Sequence, residues 1–152
     1  MTKTTIVRYI DAPIETVFSC ISDIRNFSQA IPHIKNVEFL TEQKVGAGTR
    51  FIETRDMHGN EASTEIEVRE YSENDHFRAV ADSHGTIWDT IFTVETVKSE
   101  QGEQTKLVMV MEARAYRLIP KIINPLMKGM VKKAVCADMD AVKLYCEAQP
   151  EN

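Results

Sequence analysis

From residue 34 to about residue 118, apolar and polar residues alternate with a period near two, and outside that stretch the period lengthens to that of a helix. Candidate strands are 35–43, 49–58, 61–72, 75–83, 86–98 and 105–117. A further strand, 3–11, opens the chain with Ile6, Arg8 and Ile10 on one face and Val7 and Tyr9 on the other. The breaks carry turn residues: Gly46-Ala47-Gly48, His58-Gly59-Asn60, Ser72-Glu73-Asn74-Asp75, His84-Gly85 and Ser99-Glu100-Gln101-Gly102. Connections this short join antiparallel neighbours, so the pattern predicts a seven-stranded antiparallel meander.

Two short helices separate the first strand from the rest. Pro13 suits the first position of a helix, and Ile14, Val17, Phe18 and Ile21 then recur at i, i+3, i+4 and i+7. Ser22 reads as the N-cap of a second helix with Asp23 in its first turn; Ile24, Phe27 and Ile31 form its buried face and Pro32 ends it. The chain closes on an amphipathic helix of six to seven turns from Ile119 onward, with Pro125 bending its start because that residue has no amide to donate.

A sheet covered on one side by that helix is apolar on alternate positions. This phase puts Trp88, Phe92, Leu107, Met109 and Met111 on the concave face, with Ile122, Leu126, Met130 and Ala134 of the helix opposite them. Ala79, Ala81, Ala113 and Ala115 share the inward phase; a wall of small residues leaves space unless Trp88 fills it. Five of the seven methionines, Met109, Met111, Met127, Met130 and Met139, fall on the two elements that line this space. Flexible thioethers suit a varied apolar ligand and an irregular core equally well.

Polar residues in the inward phase are the informative ones. Phe51 and Met57 share a face with Glu53 and Arg55, which face the cavity in that phase and water in the opposite one; the alternation leaves both open. Facing inward, the pair fixes a polar head group or neutralises itself. His84 shares phase with Trp88, and Tyr116 lies near the entry of the last helix, so both are candidates at the cavity mouth. The candidate ligand-binding set is therefore Phe51, Glu53, Arg55, His84, Trp88, Phe92, Met109, Met111, Tyr116, Ile122, Leu126 and Met130, with no catalytic residue assigned.

Composition narrows the classes. The chain has 152 residues, 43% of them hydrophobic, which suits one domain over 1–148 with a short tail at 149–152. A net charge of −5 and the lack of basic residues interleaved with aromatics give no support to nucleic acid as a partner, and Lys128, Lys132 and Lys133 read as a solvated face. No stretch is apolar enough for integral membrane association. Cys20, Cys136 and Cys146 show no metal or redox spacing, which predicts a reduced, cytoplasmic protein. His33, His58, His76 and His84 lack the pairing of metal ligands, nucleotide and hydrolase motifs are missing, and no cofactor is expected.

Several motifs in this order carry a resemblance. They are Ile10-Asp11-Ala12-Pro13-Ile14-Glu15-Thr16-Val17-Phe18, then Ser22-Asp23-Ile24 with Phe27, then Ala30-Ile31-Pro32. Val45-Gly46-Ala47-Gly48-Thr49, Thr105-Lys106-Leu107 and the closing helix complete the set. Over nearly its whole length the chain resembles the START/Bet v1-like (SRPBCC) superfamily, in particular its polyketide cyclase and lipid-transport branch. The resemblance implies an α+β helix-grip fold: a seven-stranded curved antiparallel sheet around a long C-terminal helix, enclosing an elongated cavity. It implies binding or transport of a small hydrophobic or amphipathic ligand such as a lipid, quinone or polyketide. The alternatives are a cyclase or dehydratase using scattered cavity residues (Glu53, Arg55, His84 or Tyr116), and a chaperone of quinones or respiratory complexes whose long helix and Lys cluster meet another protein; a homodimer is the other partner left open.

Overall fold

The computed structural model describes residues 1–150, so the last two residues of the expected tail lie outside the described residues. The chain runs β1 (Thr2–Ile10), α1 (Ile14–Ser22), α2 (Ile24–Ala30), β2 (Ile34–Phe39), β3 (Arg50–Met57), β4 (Asn60–Ser72), β5 (His76–Ser83), β6 (Thr86–Ser99), β7 (Gly102–Ala115) and α3 (Leu118–Glu147). The strands form one seven-stranded antiparallel sheet in the order β1-β7-β6-β5-β4-β3-β2. Register shifts between Ile34 and Asn36 and between Val68 and Glu70 mark irregularities of the kind that bends a strand and strengthens its twist. This is the helix-grip architecture.

Local chemistry explains where elements begin and end. The β5–β6 connection is two residues, His84 at φ 50° and Gly85 at φ 85°, and the β3–β4 connection repeats it with His58 at 55° and Gly59 at 90°. Two successive positive φ values are what a tight hairpin turn of matching twist requires. Three expectations shift. Ser22 is the last residue of α1, donating its hydroxyl to the Phe18 carbonyl at 2.6 Å, and Asp23 caps α2 by accepting the Arg25 amide at 3.0 Å. The strand expected over 35–43 stops at Phe39, because Thr41 and Gln43 turn their side chains onto the loop backbone, Thr41 Oγ1 to the Gln43 carbonyl and Gln43 Nε2 to the Val45 and Ala47 carbonyls. The last helix is one 30-residue run with Pro125 inside it, longer than the six to seven turns expected.

The second half of α3 is what the sheet grips. Met139, Val142 and Cys146 are buried against Ile6 and Ile10 of β1, Phe18 and Ile21 of α1, and Leu107 of β7. Arg8 reaches Asp140 at 2.6 Å, and the Asp11 amide donates to Glu147 at 2.8 Å, so charge and hydrogen bonding fix the same half. The Cys146 thiol lies against that of Cys20, whose titration is pushed upward by this contact and by burial. On the convex face Asp89 is covered by two arginines, accepting from Arg78 at 2.9 and 2.7 Å with Arg114 at 3.6 Å. The Arg78 hydrogen bonds hold its carboxyl below the ordinary range against the opposing effect of burial.

Gly85 is pinned from two sides: its carbonyl accepts the amides of Tyr116 and Arg117, and a Cβ on it would stand 2.8 Å from the Arg117 side chain. Gly85→Ala is expected to cost about 1–3 kcal/mol in urea denaturation. Gly129→Ala, in a helix with open space around it, is expected to gain up to about 1 kcal/mol.

The Asp89 contribution has a defined pH dependence. Its folded value lies below the unfolded one of about 3.9, so the stabilisation is complete above that pH and is lost as pH falls through the folded value. Asp89→Asn is expected to cost about 1–2 kcal/mol at pH 7 by urea denaturation, with the difference from the parent narrowing below about pH 4.

Candidate functional site

Between the concave face and the helices lies a hollow in two parts. The inner chamber, about 180 Å³, is walled by Phe51, Phe77, Phe92, Met109 and Met111 from the sheet, Ile24 and Phe27 from α2, and Val135 and Met139 from α3. The outer chamber, about 420 Å³, is walled by Met57, Ala79, Ala81, Trp88, Val131 and Ala134. Glu53, Arg55, Thr90 and Asp138 border both. Strand register explains the space: Phe77 pairs with Phe92 and their rings stack at 5.2 Å, whereas the next inward rung sets Ala79 against Thr90. The following rung sets Ala81 against Trp88, so the indole takes up part of the room its small neighbours leave.

The polar feature is a charged triad at the junction. Alternation along β3 puts Phe51, Glu53, Arg55 and Met57 on one face, and the two-residue spacing brings Arg55 Nε to Glu53 Oε1 at 2.5 Å. Arg55 Nη1 donates to Asp138 Oδ2 at 2.8 Å across from α3. Burial pulls the Arg55 titration down, but the charges of Glu53 and Asp138 outweigh it and leave it raised, so the guanidinium stays charged. Two carboxylates against one guanidinium give the set a formal charge of −1.

Phe51, Glu53, Arg55, Phe92, Met109 and Met111 therefore line the inner chamber and Trp88 the outer one. Five candidates lie elsewhere. Ile122, Leu126 and Met130 are 61%, 82% and 64% exposed, on the far side of α3 from the sheet. The inward line of that helix is Val131, Val135, Asp138, Met139, Val142 and Cys146, whose phase is set by packing of the C-terminal half. His84 is exposed in its hairpin turn, where left-handed backbone turns it outward and its Nδ1 pairs with the Ser83 hydroxyl at 2.9 Å. Tyr116 donates its hydroxyl to Asp82 at 2.8 Å on the surface.

Asp138 is the residue the sequence reading missed, and its signal was its place in the apolar line, three residues after Val135 and four before Val142. Among the described residues, no group of His, Cys, Asp and Glu is arranged to hold a metal ion, and no helix is long and apolar enough to cross a membrane. What the site offers is an apolar enclosure with one set of charged hydrogen-bonding groups.

The comparisons with known proteins agree with this geometry. The family model described as polyketide cyclase / dehydrase and lipid transport matches residues 1–147. The structure is similar to that of TTHA0849 from Thermus thermophilus, with a TM-score of 0.75 at 15% identity, covering 97% of this chain and 98% of that one. It is similar to Ara h 8.0201, with a TM-score of 0.68 at 14% identity over 97% and 99% of the two chains. It is also similar to the di-domain ARO/CYC BexL from the BE-7585A biosynthetic pathway, with a TM-score of 0.71 at 14% identity, covering 98% of this chain and 51% of that one. No curated protein sequence matches it. With a family match spanning all of its secondary structure and a helix-grip fold shared with these structures, the chain belongs to the polyketide cyclase / dehydrase and lipid transport family of the START/Bet v1-like superfamily.

Proposed function

We propose that this protein binds and carries a small amphipathic molecule, with its apolar body in the two chambers and its polar end against Glu53, Arg55 and Asp138. The observation that carries the reading is the single charged triad at the border of two otherwise largely apolar spaces. At about 420 Å³ the outer chamber falls within the usual ~300–1,000 Å³ of small-molecule sites. The lipid-transport part of the family description supports the same class of ligand.

The triad also selects. Arg55 spends two of its five N–H groups on the acids, whereas the two carboxylates together keep about six acceptor positions, so the capacity left over is mainly to accept. A ligand end that donates, such as a hydroxyl, phenol or amine, meets that capacity, whereas a carboxylate or phosphate meets like charge. Cyclisation or dehydration chemistry is the second reading, favoured by two carboxylates bordering the same chambers. In that reading the acid–base groups are Glu53 and Asp138, because His84 and Tyr116 point away from the space.

The lone tryptophan, Trp88, reports occupancy through its emission. In titrations with an alcohol, an amine and a carboxylic acid of one chain length, the first two are expected to bind at least about tenfold more tightly than the third. Ala79→Leu, which fills the middle rung, is expected to abolish binding with unchanged circular dichroism. The carrier reading falls if none of the three alters Trp88 emission and native mass spectrometry finds no small molecule on protein purified from its own host.

Removing the centre of the triad isolates two acids from their counter-charge. Arg55→Met is expected to lower stability by about 3 kcal/mol in urea denaturation.

A further inference from the structure

The first half of α3 is tied to the sheet on one side, where Asn124 Nδ2 donates to Thr86 Oγ1 at 2.9 Å, and its other side is open. Leu118 and Ile119 are as exposed as Ile122, Leu126 and Met130, and together they form an apolar strip facing away from the protein. Beside it Lys121, Lys128 and Lys132 recur at i, i+7 and i+11, a spacing that keeps them on one flank of the helix. From Ala113 to Ala137 the chain has six basic residues and no acidic one, although its overall net charge is −5. Among the described residues, Arg117, Lys121, Lys128, Lys132 and Lys133 form no ion pair; only Arg114 of the six does, with Asp89 on the convex face.

An apolar strip flanked by unpaired lysines is the arrangement of a helix that lies in a lipid–water interface, apolar side down and ammonium groups among the headgroups. The segment Leu118–Met130 spans about 20 Å at 1.5 Å per residue, enough to lie on a bilayer and too short to cross one. Charge decides against a second copy of the chain as occupant, since two such strips meeting would bring like charges together. The helix that carries the strip borders the hollow one turn further on: Val131 and Ala134 lie in the wall of the outer chamber, as does Met57, 47% exposed, the last residue of β3.

We propose that the first half of α3 is a docking surface for an anionic lipid bilayer, placed at the mouth of the cavity. The surface stands on exposure and charge and does not depend on what the cavity holds. The test is sedimentation of the full chain with vesicles of phosphatidylcholine alone and of phosphatidylcholine mixed with phosphatidylglycerol. Binding is expected to the mixed vesicles, weakened by salt, and lowered at least about tenfold by Lys121→Glu with Lys128→Glu and Lys132→Glu. Ile122→Ser with Leu126→Ser is expected to release the protein at every salt concentration. Both sets lie on exposed positions, and unchanged thermal melts show that they fold. Ala79→Leu, which fills the middle rung of the cavity, is expected to leave vesicle binding intact, which separates this surface from the carrier reading. No binding to mixed vesicles overturns the proposal, as does equal binding to both vesicle types. A dimer in solution that the serine replacements dissociate and the glutamate replacements spare also overturns it, by making the strip an interface between copies.

Discussion

Arg55 is the point at which strand and helix are tied by charge across the hollow, and the shape of that hollow depends on the tie. Its Nε is held by Glu53 on its own strand and its Nη1 by Asp138 on α3, so the guanidinium bridges the two sides of the cavity at one level. Taking three ionisable groups out of water is costly, and the arrangement survives because each hydrogen bond is charge-assisted and short. A bridge of this kind sets a distance. The helix cannot settle deeper onto the sheet without displacing it, and cannot lift without breaking a charged contact.

The space beside the bridge follows from side-chain size along hydrogen-bonded ladders. Phe77 and Phe92 stack to close the inner end, while Ala79 and Thr90 on the next rung are too short to reach α3. In a loosely packed region the neighbours would move in to fill such a gap. Here β5 and β6 are each paired on both sides, so their backbones cannot collapse toward the helix to cover the missing atoms. Met109 and Met111, on the next strand, supply the adaptable part of the wall.

Much of this was legible in the chain because turns and alternation are local properties. His84-Gly85 and His58-Gly59 announce tight hairpins, and Trp88, Phe92, Met109 and Met111 share a phase that only one face of a sheet can bury. The same reasoning could not fix β3, because Phe51 and Ile52 make both of its faces partly apolar, leaving Glu53 and Arg55 ambiguous. It chose the wrong side of α3 for a related reason. Between Ile119 and Val135 apolar residues occupy most of the circumference, so periodicity alone names no inward face. The decisive signal was downstream, in Val135, Met139, Val142 and Cys146, and the lone acid in that line, Asp138, has its partner Arg55 across the cavity, which periodicity does not reveal. His84 and Tyr116 were chosen for what their side chains can do; backbone conformation and a surface partner, neither visible to pattern reading, place them outside.

The continuity of α3 through Pro125 has a consequence for how this protein can change over generations. Gain or loss of one residue between Asp138 and Cys146 would turn everything upstream by about 100°, carrying the carboxylate away from Arg55 while the buried end stayed in place. The hairpins can lengthen without any such penalty. Tolerance to insertion therefore falls sharply along one uninterrupted helix, and the register of its last third is the part of the molecule least free to drift.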